Sequence, residues 1–113
     1  MKFIFDNSTP GPLARFLAAH EISTCPKLGW TRLGNGELLS AAEAAGFDLM
    51  ITADQNLKYQ QDLAKRRIAL IVLGSNDWSI VRKFTAVIAV SADAATPNSY
   101  VFIEMPVATR PRK

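Results

Sequence analysis

Ile68-Ala69-Leu70-Ile71-Val72-Leu73-Gly74 is the stretch that decides the fold. The run is apolar from end to end, Ile68, Ile71 and Val72 are β-branched, and a glycine closes it. A strand with one wet face would alternate apolar and polar side chains. An unbroken run suits a parallel strand whose sheet is covered by helices on both faces. Upstream, Phe47 to Thr52 reads as a second buried strand through Leu49, Met50 and Ile51. Lys2 to Phe5 is a third, ending at Asp6, and Ile22 to Cys25 a fourth, halted by Pro26. Downstream, Tyr100 to Met105 is the last.

Helices fall between these runs. Pro12 suits a first helical turn, and Leu13, Phe16, Leu17 and His20 follow at helical spacing. A helix is predicted over Glu37–Ala45, with Gly46 as its stop. Another follows Asp54 through Leu57, Gln60, Gln61 and Ala64, and a last one carries Ile80, Val81, Phe84, Val87 and Ile88. Residues 27–36, with Gly29, Gly34, Asn35 and Gly36, read as a loop. The order β-α-β-α-β-α-β-α-β predicts an α/β fold of three layers: a mostly parallel sheet of about five strands with helices on both faces.

A chain of 113 residues, 49% of them apolar, fits one domain. That domain is read over residues 1–106, followed by a basic tail at 107–113. Net charge is +3, from 13 basic and 10 acidic residues. Arg110, Arg112 and Lys113 account for the whole excess, so charge alone argues little for nucleic acid. No apolar stretch approaches the roughly 20 residues of a membrane helix. Asp6 and Pro10-Gly11-Pro12 exclude the apolar core of a signal peptide. Cys25 stands alone, which excludes an internal disulfide and a cysteine-based metal site. The expected compartment is the cytoplasm.

In open parallel sheets, ligands gather beyond the carboxyl ends of the strands. Asp6 follows the first strand, Asp54 the third, and Asn76 and Asp77 the fourth; Glu37 opens a helix. Converging carboxylates repel, and a bound cation relieves the repulsion. Oxygen ligands suit Mg²⁺ or Mn²⁺, which can activate water against a phosphodiester. Each acid also has a structural explanation. Asp54 and Asp77 can cap helices, and Glu37 suits the positive end of a helix dipole. His20 reads as a helix-end residue and Cys25 as a small buried hydrophobe.

Four blocks carry a family resemblance: Lys2-Phe3-Ile4-Phe5-Asp6-Asn7, residues 37–48 from Glu37 to Asp48, Met50-Ile51-Thr52-Ala53-Asp54-Gln55-Asn56-Leu57 with Tyr59-Gln60-Gln61, and Ile68 to Leu73 with Asn76-Asp77-Trp78. In order and content they resemble the small bacterial PIN-like nucleases of toxin–antitoxin type, over about residues 1–83. The resemblance implies a metal-dependent ribonuclease in which Asp6, Asp54 and Glu37 hold Mg²⁺ or Mn²⁺ and carry catalysis. Asn7, Thr52, Asn56 and Asn76 would be supporting residues. Many members carry Asp where this chain has Asn56, and residues 27–36 contain no acid, so the ligand set is thin. The resemblance also implies an RNA substrate and a small antitoxin partner. Lys58, Arg66, Arg67, Arg82 and Lys83 are candidates to hold an RNA backbone, against their reading as an ordinary solvated face. Self-association as a dimer is expected from the apolar terminal segment.

A second reading keeps the scaffold and drops the chemistry: a degenerate PIN-like protein-interaction module. A third, a response-regulator receiver domain, also places acids at strand ends. It expects paired acids after the first strand and a lysine after a late strand, and this chain has neither.

Overall fold

The computed structural model describes residues 1–55 and 66–106. Five strands form one sheet in the order β2-β1-β3-β4-β5, every neighbouring pair parallel. They are β1 (Lys2–Phe5), β2 (Glu21–Thr24), β3 (Leu49–Thr52), β4 (Ala69–Leu73) and β5 (Tyr100–Ile103). Every residue of β3 and β4 is buried. The unbroken apolar runs are thus explained by cover on both faces.

Side chains alternate across the sheet. Phe3, Phe5, Leu49, Ile51, Ile71 and Leu73 point to one face, where Leu13, Leu17, Val81, Ile88 and Ala92 meet them. Ile4, Met50, Leu70 and Val72 point to the other, against Cys25, Leu38, Leu39, Ala42 and Phe47. The first face is covered by a 3-10 helix (Gly11–Leu17), α3 (Trp78–Val81) and α4 (Thr85–Asp93). The second is covered by α1 (Cys25–Leu28) and α2 (Asn35–Ala44). The expected three-layer α/β fold is therefore present.

Local elements differ from the sequence reading in instructive ways. The strand expected over Ile22–Cys25 is Glu21–Thr24. Pro26 does not merely stop it: the proline lies in the first turn of α1, where its missing N–H costs nothing. The loop expected over residues 27–36 accordingly begins as a helical turn, and α2 starts at Asn35. The helix expected after Pro12 is a 3-10 helix, with Phe16 exposed on it against Trp78. The helix expected near Ile80 is divided by a 3-10 turn over Arg82–Phe84. Gly46 does end α2, at φ +83°, a conformation that favours glycine. The helix predicted after Asp54 and the tail at 107–113 lie outside the described residues.

The topology positions a site. From β1 the chain moves to β2 at the sheet edge, then returns past β1 to β3. Right-handed crossovers running in opposite directions must use opposite faces. The 3-10 helix packs on one face and α2 on the other. The two connections therefore diverge between β1 and β3, and it is beyond their carboxyl ends that a sheet of this strand order has its binding crevice.

Candidate functional site

Asp6 and Asp54 both follow strands that border this crevice. The N–H of Asp6 still continues the sheet, donating to the carbonyl of Ile51 at 3.2 Å. Past it the chain turns sharply through Asn7-Ser8-Thr9, and the turn is built around the Asp6 carboxylate. Oδ1 accepts from the Ser8 N–H at 3.1 Å, the Ser8 hydroxyl at 2.7 Å and lies 3.0 Å from the Thr9 hydroxyl. Thr9 has one hydroxyl proton, and the Ile51 carbonyl lies closer to its Oγ1, at 2.6 Å. We assign the proton to Ile51, leaving Oδ1 with two donors from Ser8. Oδ2 accepts from the Thr52 hydroxyl.

Thr52 is fully buried at the end of β3 and links the two acids. Its Oγ1 donates to Asp6 and accepts from the Asp54 N–H at 3.0 Å. Ser8 repeats the pattern, donating to Asp6 and accepting from the Ala53 N–H at 2.9 Å. The turns after β1 and β3 are thus sewn together by hydroxyls, with one carboxylate at the centre. The sequence reading missed Ser8 and Thr9. Their signal was there: Asp-x-Ser-Thr after a strand is the composition of a turn closed by its own side chains.

The structure brings Asp6, Thr52 and the backbone of Asp54 together, and it engages several of the other candidates in local bonds of their own. Glu37 is exposed in the first turn of α2, where Oε1 accepts from the Gly34 N–H at 3.0 Å, closing the start of its own helix. Among the described residues no group of three or more His, Cys, Asp or Glu side chains is arranged to hold a metal ion. Asn7 donates to the carbonyl of Thr31 at 3.1 Å, on the segment before α2. Asn76 is exposed in the turn after β4, and Asp77 caps α3 by accepting from the Ser79 N–H at 3.0 Å. Asn56 and Lys58 lie outside the described residues.

The basic candidates separate likewise. Arg66 and Arg67 precede β4 and so sit toward the amino edge of the sheet, opposite Asp6. Arg66 is paired with Glu43 at 3.0 Å and also donates to Ser40. Arg82 and Lys83 are exposed after α3. The amino edge also carries an open cleft of about 230 Å³, with Asp48, Arg67, Ile68 and Thr96 in its wall. It lies away from the hydroxyl-lined crevice and draws on none of its residues.

Comparison with family models, with curated proteins and with solved structures finds no match. The chemistry open to the crevice is set by its own atoms. The donors there are carboxylate and hydroxyl oxygens, the set that suits a hard cation. Cys25, buried at the start of α1, adds no soft ligand or nucleophile. Burial and then the nearby Asp6 charge push its thiol up to about 11, so it stays protonated at neutral pH. His20 is stacked on Phe3 and bonded to Asp93 at 2.6 Å, which occupies its ring.

Each carboxylate oxygen offers about two lone-pair positions. Oδ1 of Asp6 is filled by Ser8, whereas Oδ2 has one position left beside the Thr52 hydroxyl. A small divalent cation held here would take Asp6 Oδ2 and the carboxylate of Asp54 as ligands, with the buried Thr52 hydroxyl orienting the first.

Proposed function

We propose that the chain is a metal-dependent ribonuclease of PIN-like type, with one Mg²⁺ or Mn²⁺ between Asp6 and Asp54, serving as the toxin of a toxin–antitoxin pair. The observation that carries the reading is the link from Asp6 through Thr52 to the Asp54 backbone, at the point where the strand order reverses. A cation there would acidify a bound water and polarise a phosphodiester oxygen. The chain's own part is to fix the acids. Ser8 locks one Asp6 oxygen, Thr52 orients the other, and the Asp54 turn is pinned by its N–H to Thr52.

Purified protein should cleave single-stranded RNA in Mn²⁺, more weakly in Mg²⁺ and not in EDTA. The stronger effect of Mn²⁺ follows from its tighter binding to a site with few charges. Asp54→Asn should abolish cleavage while the fold survives. Cleavage that persists in EDTA or in Asp54→Asn would refute the assignment.

A second reading is favoured by a specific observation. Glu37 closes its own helix and Asp6 is heavily hydrogen-bonded, which describes a structural hub as well as a metal site. On that reading the chain is a degenerate PIN-like scaffold that binds a protein partner. The partner could be a small antitoxin or a second copy of the chain, and the exposed Val87 and Val90 of α4 supply apolar surface for it.

A further inference from the structure

We infer that the segment Lys27–Arg32, rather than Arg66 or Arg67, is the wall that holds the phosphate backbone of RNA beside Asp6, and that Asn7 positions it. The inference rests on the nuclease reading for what the site acts on, and it identifies residues that reading left out. Residues 25–36 hold two charges, Lys27 and Arg32, and no acid. Both side chains are exposed, and neither has an acidic partner among the described residues.

The segment is ordered from within. Gly29 takes φ +74° and donates to the Pro26 carbonyl at 3.2 Å; Trp30 N–H donates to Cys25 at 2.9 Å, and Leu33 N–H to Trp30 at 3.2 Å. Leu28, Trp30 and Leu33 turn inward onto the α2-side core, with Trp30 edge-on to Phe47. Lys27, Thr31 and Arg32 are left facing water. This alternation makes a wall with an apolar back and a basic front.

Asn7 fixes that wall to the site. Its Nδ2 donates to the Thr31 carbonyl at 3.1 Å, while its neighbour Asp6 holds the crevice. Arg32 is the next residue after Thr31, about 3.8 Å further along the chain. An arginine stem of that origin is long enough to extend its guanidinium toward the Asp6 turn. Its planar fork matches a phosphodiester, and the ammonium of Lys27, on the same segment, suits the next phosphate as a point charge. Arg66 is already bound to Glu43, and Arg67 sits toward the opposite edge.

The test is fluorescence anisotropy with a labelled single-stranded RNA oligonucleotide, in EDTA, across a salt series. EDTA separates binding from cleavage, so a failed nuclease assay and a failed wall are distinct results. Lys27→Ala and Arg32→Ala should each weaken binding several-fold and each lower the log–log salt slope by about 0.7, the share of one phosphate contact on a single strand. Asn7→Ala should weaken binding and leave the slope unchanged, because it removes alignment and no charge. Arg67→Ala, a charge-matched control, should change neither. The inference is overturned if RNA does not bind, if Arg67→Ala matches Arg32→Ala, or if Asn7→Ala binds like the wild type.

Discussion

Replacing Asp6 by asparagine separates a structural hub from a pair of merely repelling acids. Repulsion alone predicts that Asp6→Asn is neutral or stabilising when metal is absent. The hydrogen bonds predict the reverse. Asparagine keeps one acceptor oxygen, which can stay at the Oδ1 position and retain the two donors of Ser8. Its amide nitrogen then faces the Thr52 hydroxyl, which can no longer donate there. That hydroxyl already accepts from the Asp54 N–H, and its other side-chain neighbour, Ser8 Oγ, is 3.3 Å away. Thr52 is fully buried, so its proton has no water to turn to. A charge-assisted bond worth about 1.5–3 kcal/mol gives way to a neutral contact worth roughly 0.5–1.5 kcal/mol. The net loss is about 1–2 kcal/mol, which near this chain length lowers Tm by about 5–10 °C. Urea and thermal melts in EDTA at neutral pH read it directly. An Asp6→Asn protein as stable as the wild type, or more stable, would refute the hydrogen-bond account.

Other expectations are simpler. Burial raises the Glu43 carboxyl, but the N–H groups of Arg67 and Ile68 and the Arg66 guanidinium outweigh it and hold the group below its ordinary 4.5. A depressed folded value stabilises above the unfolded one and is lost as pH falls through the folded one. Glu43→Gln should therefore lose about 1–2 kcal/mol at neutral pH, with the gap to wild type closing as the pH falls below the carboxyl's ordinary 4.5 in urea melts. Gly74→Ala should cost about 1–3 kcal/mol in the same assay. The new methyl would lie 3.0 Å from both the Ile103 carbonyl oxygen and the Met105 nitrogen, which are backbone atoms that cannot swing aside. If the chain self-associates through α4, Val90→Glu should shift sedimentation to monomer; a wild type that is monomeric at high micromolar concentration would remove that proposal.

The sheet was legible because its signal is coarse. Burial on both faces forces runs such as Ile68 to Leu73 to be apolar throughout, and few other environments do. The short elements were not, because Pro26 both ends a strand and begins a helix, and the sequence alone does not choose between them. Asp6 and Asp54 were readable as strand-end acids from the order of elements. What Asp6 does there was hidden, since Ser8, Thr9 and Thr52 reveal their roles only once β1 and β3 are aligned. Glu37 shows the opposite case. Its place in a helix's first turn suggested an acid favoured by the helix dipole, and the structure adds a bond to the Gly34 N–H that closes the start of the helix. Asn7 could not have been placed by sequence, because its partner Thr31 lies on a separate connection.

The central claim of the proposal is that Asp6 Oδ2 and Asp54, held in place by Thr52, make a hard-cation site at the crevice between β1 and β3. Electron paramagnetic resonance of added Mn²⁺ tests it most directly, since bound and free ion give distinct signals whether or not a substrate is known. The wild type should bind one Mn²⁺ per chain, Mg²⁺ should compete for it, and Asp54→Asn should lose it while melting cooperatively. No bound Mn²⁺ in the wild type, or equal binding in Asp54→Asn, would contradict the claim and leave the interaction-scaffold reading in its place.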